Sequence, residues 1–133
     1  MRLAILAAAV LTTAPMPNAT QSPRWKEIGK TSVGNPVFID PRSVKKGADG
    51  IITATVRAEF VKPVATPKGP LTSSRTVVMF DCAKKTTAVK ENIYFHDEKK
   101  NSVYQRSAPG KPGFATTIKG SLPDVALAYV CKP

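Results

Sequence analysis

The segment Ile51 to Phe60 carries the clearest apolar–polar alternation of the chain. Ile52, Ala54, Val56, Ala58 and Phe60 fall on one side, and Thr53, Thr55, Arg57 and Glu59 on the other. Side chains of an extended strand point alternately to opposite faces, so this pattern describes a strand with one buried face and one wet face. Strands of a parallel α/β sheet are covered on both sides and read as continuous apolar runs, which this segment is not. It predicts an antiparallel sheet with Val56 and Phe60 beneath a cover and with Arg57 and Glu59 in solvent.

The flanking sequence supplies more strands of the same kind. Thr76 to Cys82 places Val78, Phe80 and Cys82 on one side, and Thr86 to Phe95 aligns Val89, Ile93 and Phe95. Trp25 to Ile28, Val37 to Asp40 and Ser102 to Arg106 are shorter candidates. Turn formers separate them at Gly34-Asn35-Pro36, Gly47 to Gly50, Lys84-Lys85 and Pro109 to Gly113. The expected architecture is α+β and mainly β, an antiparallel meander of about six strands. Lys62 to Arg75, with Pro63, Pro67 and Pro70, reads as a solvated connection of about 14 residues, long enough to be either mobile or functional.

A sheet with one apolar face needs a cover. After Leu122, apolar residues recur at Val125, Ala126, Tyr129 and Val130, which is helical spacing. Ser121 followed by Asp124 resembles a capping box, and Pro123 is tolerated in a first turn. Cys131 at the end of this helix would reach Cys82 at the end of a long strand, tying cover to sheet. On ideal helical geometry Cys131 points away from the apolar stripe, so the last turn is expected to unwind or fray. Two cysteines permit one pairing, with two free thiols or half of a metal site as the alternatives. A metal site lacks ligands, because His96 is the one histidine and there is no C-x-x-C.

Arg2 followed by the apolar run Leu3 to Thr13 has the makeup of a secretory signal, too short to span a bilayer. A buried N-terminal helix is the alternative, which Pro15 and Pro17 disfavour. Residues 1–19 are therefore expected to be removed, with cleavage after Ala19 or Ala14, leaving 20–133 as a single domain. No later segment approaches transmembrane length, and no cysteine ends the apolar run to accept a lipid. Export would carry the cysteines into an oxidising compartment, where a disulfide persists. The whole chain has a formal net charge of +11; removing residues 1–19 takes away one Arg and no acid, leaving 19 minus 9, or +10.

No nucleophile elbow, phosphate loop or paired-carboxylate motif is present, and His96-Asp97 beside a serine is adjacency rather than triad geometry. The chain reads as no enzyme and implies no cofactor and no metal. Its charge would attract phosphate, but an exported protein is kept from cytoplasmic nucleic acid. The remaining class is a binding module for polyanions: anionic glycans, lipid head groups or acidic protein patches. Lys62, Lys68, Arg75, Lys84, Lys85, Lys99 and Lys100 are the candidate contacts, and a purely solvating role for them is the plain alternative. A lysozyme inhibitor would be another small disulfide-closed protein, but a basic one is misplaced against a cationic target.

Several segments together resemble the surface-adhesin protein E-like domain of exported bacterial proteins. They are Trp25 with Ile28-Gly29, Val37-Phe38-Ile39-Asp40-Pro41-Arg42-Ser43-Val44, Phe80-Asp81-Cys82 and Cys131. Phe114 stands where that family usually has a Trp before the last helix. The resemblance covers residues 25 to 131. It implies an antiparallel sheet with a C-terminal helix held to it by a disulfide, and adhesion to host matrix proteins such as vitronectin and laminin. The function expected is thus an exported, non-catalytic interaction module, adhesin-like, with a periplasmic structural or accessory protein as the alternative. The expected location is the periplasm or outside the cell, and the ligand, the oligomeric state and surface display are left open.

Overall fold

Three long strands carry the molecule in the computed structural model, which describes residues 9–10 and 24–133. They are β4 (Ile52–Val64), β5 (Leu71–Asp81) and β6 (Thr86–Asp97), each paired antiparallel with the next. On one flank lie β1 (Lys26–Lys30), β2 (Pro36–Ile39) and the two-residue β3 (Lys45–Lys46); on the other lie β7 (Ser102–Ser107) and β8 (Ala115–Thr116). The sheet path is β1-β2-β4-β5-β6-β7, with β3 added to β4 and β8 to β6. The expected strands form that path, and the two shortest strands extend the sheet to eight. The expected signal segment, residues 1–19, lies almost wholly outside the described residues, as do both expected cleavage positions.

The helix α1 (Leu122–Val130) covers one face. Beneath it Ile39, Ala54, Val56, Val78 and Phe80 form a core with Ala126 and Leu127, with Ile28, Tyr129 and Val130 at its margin. Ser121 caps the helix by accepting from the Asp124 N–H. The Asp124 carboxylate does not return to Ser121, as a full capping box would have it. It accepts from the Gly120 N–H at 2.9 Å and the Thr117 hydroxyl at 2.7 Å. Cys131 follows as the C-cap and keeps its helical N–H bond to the Leu127 carbonyl at 2.9 Å, so the last turn does not unwind. Its sulfur is bonded to Cys82, with the two Cα atoms 5.3 Å apart.

Three expectations are corrected. The connection from Lys62 to Arg75 is short: β4 runs on to Val64, β5 begins at Leu71, and only residues 65–70 turn the chain. Thr72, Ser73 and Ser74 read as loop by composition, but Ser73 and Ser74 are paired on both sides, with β4 and with β6. Pairing and burial outweigh their low strand propensity. Second, Val89, Ile93 and Phe95 do not share a face. Val77 pairs with Glu91 and Val78 with Val89, so Lys90 is an extra residue that reverses the alternation. Val89 lies on the helix face, whereas Ile93 and Phe95 lie opposite, alongside Arg75 and Ser73. Third, Phe60 is only half-buried and tilts against Tyr94 at 6.5 Å, while Arg57 is largely buried and only Glu59 is exposed.

Candidate functional site

The face turned away from α1 is covered in part by Trp25. Arg57 and Arg75 occupy it side by side, and Glu98, at the turn after β6, lies between them. Arg57 donates to Glu98 Oε2 through Nε at 3.1 Å and Nη2 at 2.9 Å, and Arg75 Nη2 donates to Oε1 at 2.7 Å. The Ser73 hydroxyl adds a further bond to Oε2 at 3.1 Å. Both guanidinium groups lie by the Trp25 ring, at 5.6 and 5.5 Å from its centroid. Phe38 and Phe95 flank them, with Phe38 5.0 Å from Arg57 and Phe95 5.3 Å from Arg75.

Burial works against the charge of Glu98, but the hydrogen bonds from Arg75 and Arg57, with the Arg57 charge, outweigh it and hold its carboxyl below the usual range. Burial likewise opposes the Arg57 charge, and its bonds to Glu59 and Glu98 overcome this and raise its pKa. The arrangement is a closed ion cluster that pins the β6–β7 turn to the sheet. Arg75 Nε is buried without a hydrogen-bond partner, the one loose end of the cluster.

A second feature of this face is a shallow cavity of about 610 Å³ beside β3. Arg42, Lys45, Lys46 and Lys90 line it, with Thr53, Thr55 and Met79 from β4 and β5. The local chain builds it through Asp40. That carboxylate accepts from the Arg42 N–H at 3.0 Å and Arg24 Nε at 3.1 Å, fixing the 3₁₀ turn Pro41–Ser43 that leads into β3. The Ser43 hydroxyl then bridges the Asp40 carbonyl to the Thr55 N–H. Asp49 accepts from the Ile51 N–H at 3.0 Å and closes the turn back into β4. None of the four cations has an ion-pair partner among the described residues.

The basic residues expected as contacts are not gathered in one place. Lys84 and Lys85 occupy the β5–β6 turn, where Lys85 is left-handed at φ 52°. Lys99 and Lys100 lie in the β6–β7 turn at the far end of the 12-residue β6, roughly 40 Å away at 3.3–3.4 Å per residue. Lys62 is exposed near the end of β4, and Lys68 lies in the 65–70 turn, where it lines a small cavity together with Tyr104 and Gln105. Arg75 is mid-strand and held by Glu98, so it is no loop residue. The cavity by β3 is not legible as a cluster in the sequence, because its cations come from two separated segments, residues 42–46 and Lys90. The adjacent pair Lys45-Lys46 just after Arg42 was the available signal. His96 donates from Nδ1 to the Pro70 carbonyl at 2.8 Å, and no three potential metal ligands converge among the described residues.

Comparisons with known proteins agree with this architecture. The family model described as surface-adhesin protein E matches residues 25–132. One crystal form of Haemophilus influenzae protein E superposes with a TM-score of 0.57 at 14% identity, covering 84% of this chain and 89% of that one. A selenomethionine form of the same protein gives 0.54 at 15% identity, over 86% and 91%. Protein E from a non-typeable strain gives 0.52 at 14% identity, over 86% and 80%. At these identities the likeness establishes the fold. Comparison with curated protein sequences gives no match.

Proposed function

The chain belongs to the surface-adhesin protein E family, and on that premise we propose that it is an exported, non-catalytic module that binds anionic or matrix partners outside the cytoplasm. Residues 1–19 act as the export signal in this reading, and residues 20–133 form the binding domain. The observation that carries it is the distribution of charge. Lys84, Lys85, Lys99, Lys100, Arg42, Lys45, Lys46 and Lys90 are free of ion pairs among the described residues and are displayed on a disulfide-tied sheet. Such a surface attracts and orients a negatively charged partner over a distance set by salt screening, about 8 Å at physiological ionic strength.

External protease added to intact cells tests the location. An adhesin is cleaved from outside; protection until the outer membrane is opened would instead mark a periplasmic accessory protein. Binding of the purified protein to immobilised vitronectin and laminin tests the partner class. Binding that weakens steeply as salt rises supports the reading, and no binding to either protein at low salt removes the host-matrix version of it.

A further inference from the structure

The cavity beside β3 has the makings of a glycan site. Of its carboxylates, Asp40 uses one oxygen for the Arg42 N–H and the other for Arg24, and Asp49 accepts from the Ile51 N–H through Oδ1 alone, so four unpaired cations stand against one unpaired carboxylate. Arg42, Lys45, Lys46 and Lys90 have no such commitment. Lys90 lines the cavity as the bulged residue of β6, and a bulge re-aims the side chain that it carries. Between the cations the floor is Thr53, Thr55 and Met79, hydroxyls and a thioether rather than further charge.

That layout selects among polyanions. Single-stranded nucleic acid is held by aromatic side chains on which bases stack, and no aromatic residue lines this cavity. A flat lipid surface is a poor match for a concave trough, which suits a narrow chain. Spaced point charges over a hydroxyl-bearing floor match a sugar chain with sulfates at intervals along it. We propose that this trough binds a sulfated oligosaccharide, with Arg42, Lys45, Lys46 and Lys90 meeting sulfates and Thr53, Thr55 and Met79 lying beneath the sugar rings. The proposal rests on the outward-facing reading above and gives it a ligand class and a place.

The test is titration of the purified protein with a heparin octasaccharide, its desulfated counterpart, and vesicles containing a phosphorylated lipid. Lys45→Ser/Lys46→Ser/Lys90→Ser is compared with Lys30→Ser/Lys111→Ser/Lys119→Ser, which removes the same charge from exposed lysines outside the lining. The expected result is a loss of at least about tenfold in octasaccharide affinity for the first variant and a loss within about twofold for the second, since only contacted charges release counterions. Equal losses would mean diffuse attraction and overturn the site. So would equal binding of the desulfated sugar, or preferential binding of the vesicles. Octasaccharide-induced amide shifts in the unmodified protein give a readout independent of folding: they should centre on Thr53, Thr55 and Lys90, and shifts centred elsewhere count against the proposal. If intact cells shield the protein from protease while the octasaccharide results hold, the adhesin reading fails and the trough stands. The reverse pattern removes the trough alone.

Discussion

Arg57 and Arg75 stand directly opposite each other across β4 and β5. Like charges in that position repel, and they are tolerable here because the Glu98 carboxylate divides itself between them. Removing Glu98 therefore does more than delete two ion pairs. It leaves two adjacent, largely covered guanidinium groups facing each other.

Glu98→Gln is expected to cost about 1–3 kcal/mol at neutral pH, the range for losing charged hydrogen bonds to half-covered groups. The folded-state pKa of Glu98 lies below its unfolded value. Its contribution is thus present above about pH 4.3 and is lost as pH falls through the depressed native value. Denaturant unfolding at a series of pH values should show a shallower acid loss for Glu98→Gln than for the unmodified protein. Parallel curves would mean that the cluster carries no linkage.

The disulfide joins residues 49 positions apart. A loop of that length corresponds to about 4 kcal/mol in the chain-entropy account, and Cys82→Ser is expected to cost about 2–5 kcal/mol. Mass spectrometry of the exported protein should find it two hydrogens lighter than its reduced form, and two titratable thiols would contradict the bond.

Phe80 is fully buried under α1, whereas Phe60 is half-buried at the sheet margin. Phe80→Ala should cost about 3–5 kcal/mol and Phe60→Ala distinctly less, with Glu59→Ala within about 0.5 kcal/mol. Chemical denaturation of the three variants ranks them. A Phe60 cost equal to that of Phe80 would mean that the apolar face extends further along β4 than its burial indicates.

Gly120 adopts φ 79°, and a Cβ placed there would come within 2.7 Å of the Ser32 Cβ. Its N–H also holds the Asp124 carboxylate, and its carbonyl accepts from the Ser32 N–H. Gly120→Ala should lower the thermal midpoint by more than Ser121→Ala, whose lost cap is worth about 1 kcal/mol. Hydrogen exchange should place the loosening in the first turn of α1.

The strands on the helix face were legible in the sequence because alternation is a local property. Ile52 to Ala58 needs no knowledge of its partners to declare two faces. Alternation does not say what lies over each face, so Arg57 read as solvated until Trp25, from a distant segment, was seen beside it. The phase of β6 was illegible for a related reason, since a bulge is defined by its partner strand: Lys90 looks regular until Val77 and Val78 are set opposite. The trough is assembled from Arg42, Lys45, Lys46 and Lys90, whose nearness depends on that same pairing.

The extra residue in β6 also bears on which deletions the chain could survive. Removing one residue from a regular strand exchanges the inward and outward sets for the rest of its length. Removing Lys90 does the opposite: Val89 stays paired with Val78 and Glu91 with Val77, and the two halves of the strand fall into one continuous phase. Lys90 is thus a position that the architecture can spare. A lineage that keeps a cation there is not keeping it for the sake of the sheet.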